Sequence, residues 1–298
     1  VRVRIVSLLP SATEIVYRLG LEDSLVGVTH ECDWPPAARE KTQVSFTNIP
    51  PDATPAEIND LADESEAGGP PTHGLHADVL RDLAPDLVLT QDLCAVCAVP
   101  AGHLQAALDD YGVKAETLSL DPASLQDVIT DVWRVGQATG TESRARKTVD
   151  GLQARLARVE EAVAGRERRR TFALEWGDPA FNAGHWVPDQ IEAAGGEPLL
   201  TLRGVPSIRV DWEDIAAENP EVVVFMPCGY NLDGAMAQVP YLLARPEMAT
   251  IPSVFAAAAN GFYSRPGPRL VDGVEGLAWA LHPDCGIDAP PGTIARVK

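Results

Sequence analysis

Cysteine is scarce and uneven in this chain: Cys32, Cys94, Cys97, Cys228 and Cys285 make five, too few for the disulfide framework of a small secreted fold. Basic residues are short as well. Lysine and arginine number 24 against 43 acids, a net charge of -19 that argues against nucleic acid as a partner, since phosphate binding rests on clustered cations. No apolar run approaches the roughly 20 residues of a membrane-spanning helix, so a membrane-spanning chain is not expected. Val1 to Val6 carry no apolar leader and no cleavage site, and with the unpaired cysteine count this predicts a cytoplasmic location. Catalytic signatures are missing too. There is no G-x-S-x-G elbow, P-loop or H-E-x-x-H motif, and Ser7, His30 and Asp33 follow no known triad order, so a binding protein rather than an enzyme is expected.

What remains is an alternation of short apolar runs with helical patterns over 298 residues, a length that accommodates two cores. Arg4 to Leu9, Leu25 to Thr29, Leu87 to Thr90 and Ala115 to Leu118 read as strands, with helices at Thr13 to Leu19, Ala77 to Leu83 and Leu104 to Tyr111. Ser11 is the expected cap of the first helix, with Glu14 completing its capping box. Phe46 to His76, rich in Pro, Asp, Glu and Gly, reads as a loop. Leu125, Val128, Ile129, Val132 and Trp133 fall at helical spacing behind Ser124, and a second amphipathic helix runs over Glu142 to Val163 before a solvated Arg166 to Arg170 run. Beyond it, Phe172 to Trp176 and Val222 to Met226 read as strands, and Pro188 to Ala194, Trp212 to Glu218 and Leu270 to Leu281 as helices. The fold class is therefore α/β, with parallel sheets in two Rossmann-like lobes. Domains are expected at 1–120, 121–166 for the connecting and flanking helices, and 167–298.

The unusual side chains sit directly after strands: His30-Glu31-Cys32-Asp33-Trp34, Gln91-Asp92-Leu93-Cys94, Gly177-Asp178-Pro179 and Pro227-Cys228-Gly229-Tyr230. In open parallel sheets that edge is where ligands bind. Several motifs, in this order and spacing, carry a family likeness: Ser7-Leu8-Leu9-Pro10-Ser11-Ala12-Thr13-Glu14, Asp33-Trp34-Pro35-Pro36, Leu83-Ala84-Pro85-Asp86-Leu87-Val88, Gly195-Gly196-Glu197 and Ser264-Arg265-Pro266-Gly267-Pro268-Arg269. Over residues 4 to 283 the chain resembles the cobalamin-binding substrate-binding proteins of ABC importers. The resemblance implies two lobes joined by a rigid helix at Leu125 to Ala138. It implies a cobalamin or related metal chelate as ligand in the cleft between them, and an importer membrane subunit as partner. Carried over by position, Trp34 and Asp92 would line the ligand site from the first lobe, and Trp176, Phe181, Tyr263 and Arg265 from the second. His185 and Trp186, just before a helix, are read as further ligand-site residues, His185 as a soft nitrogen ligand to cobalt or iron, although a lone His there would ordinarily be a polar cap or surface group.

The thiols leave alternatives open. Cys94-x-x-Cys97 with Cys32 and His30 has the composition of a zinc or iron site, and Cys228 lies on another strand-end loop. A redox dithiol, or buried cysteines acting as small apolar side chains, account for the same residues. On the first two readings the chain would be an intracellular metal- or thiol-dependent enzyme or redox sensor. A haem or siderophore binder is a further alternative to the corrinoid. His73, His76, His103 and His282 are placed on loops or exposed turns and given no role.

Overall fold

The apolar runs of the first half pair as parallel strands in the computed structural model, which describes residues 3–50, 53, 55–91 and 101–298. In chain order the strands are β1 (Ile5–Ser7), β2 (Leu25–Val28), β3 (Thr42–Gln43), β4 (Ser45–Thr47), β5 (His73–Leu75), β6 (Leu87–Thr90) and β7 (Glu116–Ser119). Five form one sheet in the order β3-β2-β1-β6-β7 with every neighbour parallel, while β4 and β5 pair separately as an antiparallel ribbon. Helices α1 (Pro10–Arg18), α2 (Pro55–Glu66), α3 (Ala77–Leu83) and α4 (Ala101–Asp110) link them. Val6 and Val88 from the sheet pack with Leu80, Leu104 and Leu108 from the helices as the core.

Two expectations need correction here. α1 starts at Pro10, not after a Ser11 cap, and Leu9 is its cap residue with no side-chain hydrogen bond. Proline fits the first helical turn because the amide it lacks would have had no helical acceptor there. The stretch from Phe46 to His76 is likewise no simple loop, since it contributes α2 and most of the β4–β5 ribbon.

The two amphipathic helices form as expected, as α5 (Leu125–Ala138) and α6 (Glu142–Val163). At the start of α5 the Ser124 hydroxyl accepts from the Asp127 amide at 3.1 Å while the Asp127 carboxylate accepts from the Ser124 amide at 2.9 Å, a reciprocal cap. The second sheet then follows: β8 (Arg169–Gly177), β9 (Ala180–Asn182), β10 (Gly196–Pro198), β11 (Val222–Phe225), β12 (Ser253–Ala257) and β13 (Ile294–Arg296). Its order is β10-β8-β11-β12-β13, parallel except for β13, with β9 folded back antiparallel on β8. Helices α7 (Val187–Ala193), α8 (Trp212–Ala217), α9 (Leu232–Leu243), α10 (Ala259–Phe262) and α11 (Leu270–Leu281) complete the unit, whose core includes Phe172, Leu174, Val223, Phe225 and Val254.

Arginines at the start of β8 are not freely solvated. Arg170 pairs with Glu197 at 3.2 Å and Glu218 at 2.8 Å, and Arg169 with Glu221 at 3.1 Å, so the basic run ends inside the sheet's own ion pairs. His282 also departs from its expected exposure: it is buried, with a ring nitrogen 3.1 Å from the Gly195 carbonyl. Two units result, Val1–Asp121 with Asp131–Thr148, and Pro122–Thr130 with Val149–Lys298. The chain changes unit at Pro122, again within α5, and again within α6.

Candidate functional site

In the first unit the loop after β2 is fixed by hydroxyl chemistry. The Ser45 hydroxyl lies 2.8 Å from the Thr29 hydroxyl and 2.7 Å from Nδ1 of His30, whose Nε2 faces Glu31 at 3.3 Å. The His30 ring stands 5.0 Å from that of His73, which β5 brings alongside. Cys32 is buried with its sulfur 3.0 Å from the Thr13 hydroxyl, so it is packed inside. Trp34, by contrast, is 46% exposed, an unusual state for the largest apolar side chain.

In the second unit Trp176, Phe181 and Cys228 sit at or beside the carboxyl ends of β8 and β11, while His185 and Trp186 lead into α7 and Tyr263 and Arg265 follow α10. Trp176 and Phe181 are register partners across the β8–β9 hairpin, and the Tyr230 ring after β11 lies 6.2 Å from Trp176. His185 is held at φ 51, with its amide donating to the Val205 carbonyl at 2.7 Å and its carbonyl accepting from Gly204 at 3.0 Å. Burial lowers its pKa, which keeps the imidazole neutral near pH 7. Trp186 is buried and donates from Nε1 to the Tyr263 carbonyl at 2.6 Å. Tyr263 is itself buried, its hydroxyl donating to Gly273, and burial raises its pKa. Arg265 is buried nearby in sequence, and Cys228 is half-buried with its amide donating to Glu175.

A loop the sequence did not single out completes this surface. Residues 200–210 are locked onto β9 by Asn182, whose side chain accepts from the Ile208 amide at 2.7 Å and donates to the Leu200 carbonyl. A Cβ on Gly184 would stand 2.4 Å from the Val205 carbonyl oxygen, so glycine is what allows the two backbones to touch. The loop leaves Leu202, Val205 and Ile208 exposed. No turn or periodicity signal in the sequence separates it from an ordinary connection, whereas Tyr230 lies in the strand-end segment that also holds Cys228, though only Cys228 is read from it as a site residue.

A cavity of about 630 Å³ lies elsewhere in the second unit, lined by Leu125, Ile129, Leu156, Val163, Asp189 and Arg203 among others. None of the aromatic side chains named above lines it, so it is separate from the strand-end surface. Among the described residues no three His, Cys, Asp or Glu side chains gather as metal ligands. Cys32 and Cys228 fall in different units, and Asp92, Cys94 and Cys97 lie outside the described residues.

Comparison with known proteins places this arrangement. An ABC transporter substrate-binding lipoprotein of Bacillus subtilis is 24% identical, over 94% of this chain and 80% of the relative. A vitamin B12-binding protein of Photorhabdus laumondii is also 24% identical, over 94% of this chain and 88% of its own length. A periplasmic haem-binding protein of Pseudomonas aeruginosa superposes with a TM-score of 0.73 at 21% identity, covering 100% of this chain and 99% of that one. These findings overturn the expected cytoplasmic location. The relative in Bacillus is a lipoprotein and the matching family is periplasmic, so the first residues of the sequence are no guide to residence inside the cell. The family binds solutes rather than transforming them, in keeping with the expected lack of catalysis. With residues 5–256 matched by its profile, the chain belongs to the periplasmic binding protein family.

Proposed function

We propose that the protein reversibly binds a cobalamin or related corrinoid and hands it to the membrane subunit of an ABC importer. The observation that carries this reading is the aromatic surface of Trp176, Phe181 and Tyr230 at the ends of β8, β9 and β11. A flat, rigid ring gains stacking and apolar burial from such a surface without an exact hydrogen-bond match. Trp34, exposed at the corresponding sheet edge of the first unit, is a second surface of the same kind. Trp186 and Tyr263 support the His185 loop from behind. The relatives named for vitamin B12 and for ABC transport support the choice of ligand class and partner.

Haem is the second reading, favoured by one observation. The neutral imidazole of His185 beside exposed Val205 has the donor chemistry of an axial ligand to iron or cobalt. Titration separates the two. Cyanocobalamin should quench tryptophan fluorescence with a saturable isotherm below about 100 μM, the affinity expected of an evolved pocket. A Soret band with haemin and no quenching by cobalamin would replace the corrinoid by haem, and inertness to both would remove the tetrapyrrole class.

A further inference from the structure

The β8–β9 hairpin continues into a third strand-like segment. Arg209 bridges antiparallel to Phe181, the Val210 amide donates to Ala180 at 2.9 Å and the Asn182 amide donates to Ile208 at 3.1 Å. Residues directly opposite one another in antiparallel pairs share a face. Trp176, Phe181 and Arg209 therefore stand on one face of consecutive strands, with Tyr230 against the Trp176 end. Two strand spacings put Arg209 about 10 Å from Trp176, the scale of a tetrapyrrole ring. The guanidinium carbon lies 5.8 Å from the Phe181 ring centroid, so the cation caps the aromatic row.

Position, rather than the lack of a carboxylate alone, sets Arg209 apart: among the described residues Arg168 and Arg296 of the same unit bond main-chain oxygens and not side-chain carboxylates, but neither stands on the aromatic row. Acids outnumber bases by 43 to 24, and Arg169, Arg170 and Arg203 in the same unit each have carboxylate partners. Among the described residues Arg209 has none, and it is exposed. In a molecule with surplus carboxylate, a cation left unneutralised at the end of a stacking surface is available to a charge from outside the chain.

We propose that Arg209 is a specificity-determining residue that takes an acidic oxygen at the edge of a ring lying against the wall of Trp176, Phe181 and Tyr230. The proposal rests on the tetrapyrrole reading above. Two sources carry that oxygen: the phosphodiester of a corrinoid's nucleotide loop and the carboxylate of a porphyrin side chain. Neutral ring substituents gain far less from a guanidinium, whose fork matches both acids.

The test measures binding of cyanocobalamin, dicyanocobinamide (which lacks the nucleotide loop), haemin and haemin dimethyl ester to the full chain and to Arg209→Gln and Arg209→Lys. The glutamine variant keeps polarity and reach at an exposed position, and circular dichroism checks its fold. Expected is a loss of about 10- to 100-fold for the acid-bearing member of whichever pair binds, with the acid-free member unchanged and lysine restoring part of the loss. Equal affinities of wild type and Arg209→Gln, or equal losses for both members of the pair, overturn the assignment of Arg209 while leaving the ligand class standing. Failure of the wild type to bind any of the four removes the ligand class, and the assignment with it.

Discussion

His185 shows how one residue links conformation to solution behaviour. Its φ of 51 is tolerated because neighbouring backbones clamp it, and burial depresses its pKa. A histidine whose folded pKa is lowered takes up its proton more readily unfolded, so stability is full above the ordinary value of about 6.5 and declines as pH falls below it. The urea midpoint should therefore drop between pH 7.5 and 5, and His185→Asn, which accepts a positive φ, should flatten that part of the profile. An unchanged slope in the variant would assign the pH dependence to other groups. The sequence placed His185 correctly just before a helix, yet neither its conformation nor its burial was readable there, because both depend on Val205 and Gly204 about 20 positions away. Trp34 and Tyr263 make the same point from opposite sides. Both are aromatic residues beside a proline or serine turn in sequence, but one is 46% exposed and the other 1%, a difference set by tertiary packing.

Elements were read best where local chemistry decides them. α3, α5, α6, α11 and β6 begin and end where periodicity and Ser124 placed them, because each carries its own stripe, cap or breaker. Several of the misses, though not β12 or the locally capped α9, are elements held by partners distant in the chain. β4 and β5 pair across the α2 insertion, β13 returns antiparallel after a long coil, and the 200–210 loop is fixed by Asn182. That asparagine is 2% exposed and is the side chain that supports the loop's strand-like edge. Asn182→Ala should cost about 1 to 2 kcal/mol in denaturant unfolding, since it strands a part-buried amide and a carbonyl together. Limited proteolysis should then cut within 200–210 before global unfolding. Resistance of that loop in the variant would show that Gly184 and the backbone pairing hold it unaided.

At the level of the whole molecule, charge is the dominant property. A net charge of -19 repels itself in the folded state, and salt screens that repulsion over a Debye length of about 8 Å at physiological strength. The midpoint of thermal unfolding should rise by several degrees between about 0.05 and 0.5 M KCl, with most of the gain at the low end where screening changes fastest. A midpoint that falls with salt would mean that ion pairs such as Arg170 with Glu197 and Glu218 outweigh the general repulsion.

The alternation of the two units along the chain also dictates an order of assembly. Residues 122–130 belong with the second unit and 131–148 with the first, so neither is a continuous stretch of polypeptide. Val132, Val135 and Ala145, all buried, reach the first unit only after the opening turns of α5 have been made. For a protein that emerges amino-terminus first, whether from a ribosome or through a membrane pore, the first unit stays unfinished until Thr148 is out. The second unit's share of α5 meanwhile waits for the remainder of that unit to follow. A chain laid out in this way stays open for longer during its passage than two tandem domains of the same size, which gives chaperones and secretion machinery an extended interval in which to hold it.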